Sequence, residues 1–156
     1  DVYKRQVEGV FRLPNLKYEP FLCDELVPVV ATDCPIGQSG EISLEEFKQV
    51  PLVLRERGSG TLDAIELALA EQHLKLSSLN VRMYLGSTES IKSFLRYSHS
   101  MGIVSITALS KELKEGSFRI VDIDGLQFKR HFCFVSAQGQ EAETVVHFMR
   151  FLQQQV

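Results

Sequence analysis

Two short stretches of this 156-residue sequence place small, hydroxyl-bearing and charged residues where a strand pattern gives way to a helix pattern. In the first, Leu52-Val53-Leu54 runs into Arg55-Glu56-Arg57-Gly58-Ser59-Gly60-Thr61; in the second, Val81-Arg82-Met83-Tyr84-Leu85 runs into Gly86-Ser87-Thr88. Such turns can hold an anion. Glycine at 58 and 60 lets a ligand approach the backbone, and the hydroxyls of Ser59, Thr61, Ser87 and Thr88 stand beside helix N–H groups that have no intrahelical acceptor. A helix N-terminus contributes about 0.3–1 kcal/mol to holding a negative charge and a charge-assisted hydrogen bond about 1.5–3 kcal/mol, enough for micromolar to millimolar affinity without a metal. The same residues also have a plain structural use. Ser and Thr cap helices, and Arg55 and Arg57 can pair with Glu56 or stay in solvent. Two such loops on consecutive strands tip the balance toward binding, because ligands of open α/β sheets lie beyond the carboxyl ends of the strands.

Other chemistry has less support. The run Arg57-Gly58-Ser59-Gly60-Thr61-Leu62-Asp63-Ala64 lacks the third glycine of a dinucleotide fingerprint, and no phosphate-loop motif ending in Gly-Lys-Ser/Thr occurs, so neither cofactor is expected. Ser59 is not the serine of a G-x-S-x-G elbow, since Arg57 and Thr61 flank it where that motif needs glycines. His73, His99, His131 and His147 have no metal-ligand spacing, and Cys23, Cys34 and Cys133 form no C-x-x-C pair, so metal and disulfide frameworks are not expected. No catalytic residue is assigned.

These candidates need a scaffold, and composition permits one. With 44% hydrophobic and 24% charged residues the chain reads as one globular domain with a working core. The net charge of −3 and the lack of a Lys/Arg block argue against DNA binding by this stretch itself. No apolar run reaches the roughly 20 residues of a membrane span, and no secretion leader is apparent, so a cytoplasmic location without membrane contact is expected. The first six residues, Asp-Val-Tyr-Lys-Arg-Gln, join poorly to the rest and read as a non-native leader, which makes the chain a fragment beginning near Val7.

The apolar pattern predicts strands at Val7–Phe11 and Leu22–Val30, the second an edge strand because of Pro28. Ser43 followed by Glu46 fits a capping box that opens a short helix ending before Pro51. Leu52-Val53-Leu54, apolar at consecutive positions, fits a parallel strand covered on both faces. A helix from about Thr61 to His73, the strand Val81–Leu85, a helix from Gly86-Ser87-Thr88 and the strand Gly102–Ile106 complete strand-helix-strand-helix-strand, a parallel doubly wound layer. A short helix at Ser110–Glu115, strands at Phe118–Ile123 and Phe128–Val135, and an amphipathic helix over Glu141–Gln153 follow.

In this order PLVLRERGSGT, YLGSTESIKSFL, MGIVSITALSKELKEG and FKRHFCFV, with EPFLCDELVPVVA before them, resemble the effector-binding domain of LysR-type transcriptional regulators from Val7 to the end. The resemblance implies a periplasmic-binding-protein type 2-like α/β fold: one complete doubly wound lobe at about 52–120, with 7–50 and 118–156 as hinge strands and remnant of the first lobe. It implies a small-molecule effector between lobes whose closure alters DNA-binding heads. Matching loop positions make Arg55, Ser59, Thr61, Ser87 and Thr88 effector contacts, with Ile103 and Ser105 as cleft-wall positions. The family's winged helix-turn-helix and the opening elements of its first lobe have no counterpart here, so DNA contact and much of the dimer surface would lie outside this chain.

The reading is therefore a cytoplasmic sensor domain for a small anionic effector, homo-oligomeric in its full-length protein, without cofactor or catalysis. A free-standing solute-binding protein and a small α/β enzyme of the same fold are the alternatives. The first calls for a secretion signal, the second for an acid/base pair facing the cleft.

Overall fold

The computed structural model describes residues 5–7, 13–139 and 143–154. In chain order the elements are Arg5–Val7 (β1), Leu16–Ala31 (β2), Glu41–Ile42 (β3), Leu44–Gln49 (α1), Leu52–Arg55 (β4), Gly60–Glu71 (α2), Val81–Leu85 (β5) and Thr88–Leu95 (α3). Met101–Ser105 (β6), Ser110–Lys114 (α4), Phe118–Ile120 (β7), Asp122–Ile123 (β8), Phe128–Ala137 (β9) and Glu143–Gln153 (α5) complete the chain. They gather into two compact units. Asp24–Arg130 form the larger, and the chain up to Cys23 together with that from His131 forms the smaller. The expected lobe at 52–120 falls within the larger unit, which also takes in residues 24–51 and 121–130.

The larger unit is built around β4, which is parallel to β5 on one side and to β6 on the other. Leu52, Val53 and Leu54 are fully buried, as consecutive apolar residues require when both faces of a strand are covered. Because β5 and β6 flank β4, right-handed crossovers send α2 and α3 to opposite faces. Ile65 and Leu69 of α2 and Ile91 and Leu95 of α3 belong to the core cluster. Gly102 lets α3 seat closely on β6: a Cβ there would stand 2.8 Å from Ile91 Cγ2 and 3.0 Å from Leu95 Cδ1. The expected covered layer is incomplete at β5, an edge strand with Met83 39% and Tyr84 37% exposed.

Local capping chemistry sets the helix starts. Ser43 and Glu46 form the reciprocal capping box of α1, and Ser59 and Ser87 cap α2 and α3. The bonds to Ser43 also hold the Glu46 carboxyl below the usual range. α2 ends with His73 in the left-handed region (φ 56), while Leu74 N–H donates to Leu69 O as in a Schellman cap.

Three expectations change. The second strand is longer than Leu22–Val30, and Pro28 does not make it an edge. β2 pairs antiparallel with β6 through Pro28↔Ile103 and with β7 through Val29–Ala31. Proline is tolerated because β7 ends at Ile120: the Pro28 carbonyl accepts from Val121 N–H, and no donor is needed in return. The single strand expected at Phe118–Ile123 is two. After Val121 the chain leaves β2, and β8 pairs in parallel with β3 (Glu41↔Asp122, Ile42↔Ile123) in a separate two-stranded sheet.

Arg119, on β7, donates to three carbonyls of the loop after β2: Cys34 O (2.8 Å), Ile36 O (2.5 Å) and Gly37 O (2.5 Å). On the other flank, Lys92 of α3 meets Glu112 of α4 at 2.8 Å and Glu89 at 2.7 Å, and donates to Ala108 O at 3.1 Å. Lys92 and Glu112 are both 6% exposed. Hydrogen bonding to Lys92 lowers the Glu112 pKa against the effect of burial. Burial works against the Lys92 ammonium, but its bonds to Glu112 and Glu89 prevail and raise its pKa. Arg96 stacks over Phe118, 5.3 Å from the ring centre.

In the smaller unit β1 pairs antiparallel with β9 (Arg5↔Val135, Val7↔Cys133), and the Phe21 and Phe134 rings pack 4.6 Å apart. Arg5 and Gln6 of the expected leader thus take part in a strand, while residues 1–4 and 8–11 lie outside the described residues. On α5, Met149 is buried and Phe148 and Phe151 are exposed; residues 141 and 142 of the expected helix lie outside the described residues. Cys34 is buried, Cys23 exposed and Cys133 half-buried, and all three are free thiols.

Candidate functional site

The loop from β4 to α2 is set by its own charges. Arg55 grips Glu56 with two bonds, Nε to Oε2 at 2.8 Å and Nη2 to Oε1 at 2.9 Å, and this pairing takes the Glu56 carboxyl down to about 2. Glu56 N–H donates to Leu85 O at 3.1 Å, tying the end of β4 to the end of β5. Gly58, at φ 84, makes the turn that a side chain would resist, and Ser59 Oγ then accepts from Leu62 N–H at 3.2 Å. The loop from β5 to α3 is simpler: Ser87 Oγ accepts from Ser90 N–H at 3.1 Å and shares a 2.8 Å bond with Ser90 Oγ. Thr88 follows, half-buried, in the first turn of α3.

Thr61 has a different role. It is 5% exposed, one turn before Ile65 on the inward stripe of α2, and its Oγ1 accepts from Arg130 Nη1 at 2.9 Å. Arg130 is held in turn by Asp24: Nε donates to Oδ2 at 2.8 Å and Nη2 lies 2.7 Å from the same oxygen. The second carboxylate oxygen, Oδ1, accepts from Ser105 Oγ at 2.9 Å. Four side chains from β2, α2, β6 and β9 thus form one polar network at the carboxyl end of β6. The side chains of Asp24 and Arg130 are only 7% and 15% exposed, so in the low-dielectric interior each charge depends on the other.

Of the seven residues singled out from sequence, the structure joins Thr61 and Ser105 through two that the sequence reading missed, Asp24 and Arg130. Arg55 is engaged with Glu56, and the hydroxyls of Ser59 and Ser87 serve as N-caps, as their structural use requires. Ile103 is fully buried in the core beside Pro28. No hydrogen bond links Thr88 to the Thr61 network among the described residues. A cleft of about 660 Å³ between α2 and β5, lined by Arg57, Gly58, Leu62, Asp63, Lys75 and Tyr84 among others, contains none of the seven. Among the described residues no three His, Cys, Asp or Glu side chains gather as a metal site, and no helix is long and apolar enough to cross a membrane.

The sequence profile of the LysR substrate binding domain matches residues 6–156. The HTH-type transcriptional activator CmpR of Synechocystis is 30% identical over 139 residues, which are 88% of this chain and 45% of that protein. The RuBisCO operon transcriptional regulator of Acidithiobacillus ferrooxidans is 32% identical over 139 residues, 88% of this chain and 44% of its own. The chain therefore spans less than half the length of these curated relatives. Among solved structures, the Synechocystis CcmR regulatory domain in complex with 2-PG superposes with a TM-score of 0.80 at 25% identity, over 97% of this chain and 72% of that one. The effector binding domain of QuiR in complex with shikimate shares the fold, with a TM-score of 0.77 at 15% identity over 97% and 70% of the two chains.

Proposed function

The chain belongs to the LysR substrate-binding domain family, and on that premise we propose that residues 7–156 are the effector-sensing part of a LysR-type transcription regulator of the cytoplasm. In this reading the domain binds a small anion and catalyses nothing. DNA contact and pairing with a second copy belong to the full-length regulator, the first through a helix-turn-helix segment. The relatives are transcription regulators, which favours this reading over a transporter's solute-binding protein or an enzyme of the same fold.

The observation that carries the anion reading is the buried Thr61 hydroxyl in the first turn of α2, where backbone N–H groups lack intrahelical acceptors, with the Arg130 guanidinium against it. Arg55, Ser59, Ser87 and Thr88 are the remaining proposed contacts, with Ser105 in the wall; Ile103, fully buried in the core, is not one of them. An effector biases a regulator only by the difference in its affinity for two conformations; tenfold corresponds to about 1.4 kcal/mol.

The test is thermal stabilisation by 2-PG, the ligand of the CcmR regulatory domain. The double variant Ser59→Ala/Thr88→Ala is expected to lose most of the ligand-induced rise in Tm, on top of an unliganded Tm lowered by loss of the Ser59 cap, which costs about 1 kcal/mol. A response equal to the parent's would leave Ser59 as a cap only and remove Thr88 from the site.

A further inference from the structure

We infer that Asp24 and Arg130 are a positioning pair that fixes Thr61 as a hydrogen-bond donor, so that the site selects a ligand presenting an acceptor oxygen, such as a carboxylate or phosphate, at the start of α2. The inference rests on the effector-sensing reading above.

It follows from the polarity of one contact. A guanidinium has donors and no acceptor, so the 2.9 Å bond between Arg130 Nη1 and Thr61 Oγ1 can run only from arginine to threonine. A threonine hydroxyl has a single hydrogen, and this contact leaves it unused. No acceptor takes that hydrogen among the described residues, and Thr61 is 5% exposed, so bulk water has little access to it. A buried O–H that must donate, beside first-turn N–H groups that also donate, is complementary to an oxygen without a proton.

Asp24 makes the polarity permanent. Its Oδ2 takes Nε and Nη2 of Arg130, which turns Nη1 toward Thr61. Its Oδ1 is occupied by Ser105. Three of the carboxylate's roughly four acceptor sites are thus taken within the network, and its charge cancels the formal charge of Arg130. Discrimination at Thr61 then comes from the direction of hydrogen bonds more than from net charge. A ligand group able only to donate would meet donors at the Thr61 hydroxyl and at the first-turn N–H groups.

The experiment compares the parent chain with Thr61→Ser, Thr61→Val and the doubly neutral Asp24→Asn/Arg130→Met, which removes both buried charges together and so avoids stranding either. Calorimetric titration with 2-PG should show Thr61→Ser within about threefold of the parent, and Thr61→Val and the double variant each weaker by tenfold or more, about 1.4 kcal/mol. Without ligand, the Thr61 methyl should report one χ1 rotamer by NMR couplings in the parent and averaging in the double variant. Parent-like binding by the double variant, or an unaltered Thr61 rotamer in it, overturns the positioning role. Failure of the parent to bind 2-PG counts against the effector reading, and the rotamer measurement still decides the pair.

Discussion

Asp24 and Arg130, the first and last residues of the larger unit, face each other across 2.7 Å between Oδ2 and Nη2. Both are largely withdrawn from water, so removing one partner strands the other. Arg130→Met is expected to lower unfolding free energy by about 3–5 kcal/mol, and Asp24→Asn/Arg130→Met to recover most of that loss. Urea titration of the three proteins checks it. A double variant as unstable as the single would mean that Asp24 tolerates an unpaired buried charge.

The Lys92–Glu112 contact makes stability depend on pH in a definite direction. Glu112 titrates lower in the folded chain than unfolded, so its contribution is complete above the unfolded carboxylate range near 4.5 and is lost as pH falls through the folded value. Lys92 titrates higher when folded, so its share is complete below about 10.5 and is lost as pH rises through the folded value. Glu112→Gln should flatten the acid limb of a Tm-against-pH curve. An unchanged limb in that variant would assign acid unfolding to other carboxylates.

Gly102→Ala places a methyl group where Ile91 and Leu95 already sit. Overpacking of this kind costs about 1–3 kcal/mol, because α3 must lift from the sheet or its side chains must leave their rotamers. Denaturant unfolding should register the loss. Glycine at 86, where an added Cβ meets nothing within 4 Å, is the control that should tolerate alanine far better.

His73 holds a left-handed backbone at the end of α2, where glycine carries no steric penalty. His73→Gly is therefore expected to raise stability by about 1 kcal/mol, measurable as a higher urea midpoint. A drop would show that the imidazole makes a contribution larger than the backbone strain.

Much of this arrangement is legible in the sequence wherever the cause is local. Leu52-Val53-Leu54 announces a strand covered on both sides, and Ser43, Ser59 and Ser87 each cap the helix their neighbours suggest. Pro28 misleads because its consequence depends on where β7 stops, at Ile120, 92 positions further on, so that Val121 N–H meets the Pro28 carbonyl. The Thr61 network is harder still. Asp24 and Arg130 are 106 positions apart and meet only once β2 and β9 are in place. A signal was nevertheless present: Asp24 shares the two-residue phase of buried Leu26, Arg130 that of buried Phe128, and Thr61 the helical phase of buried Ile65 and Ala68. Polar groups at inward positions need partners, and three of them in one chain are candidates for one another.

The grip of Arg119 on the carbonyls of Cys34, Ile36 and Gly37 bears on how sequence change should be weighed in this chain. One flat, forked cation arrests three points of the loop at once. A lysine there would keep the sign of the charge and count as a mild exchange by similarity, yet its single ammonium has no fork to span the three oxygens. At this position shape, rather than charge, is what the surrounding backbone demands.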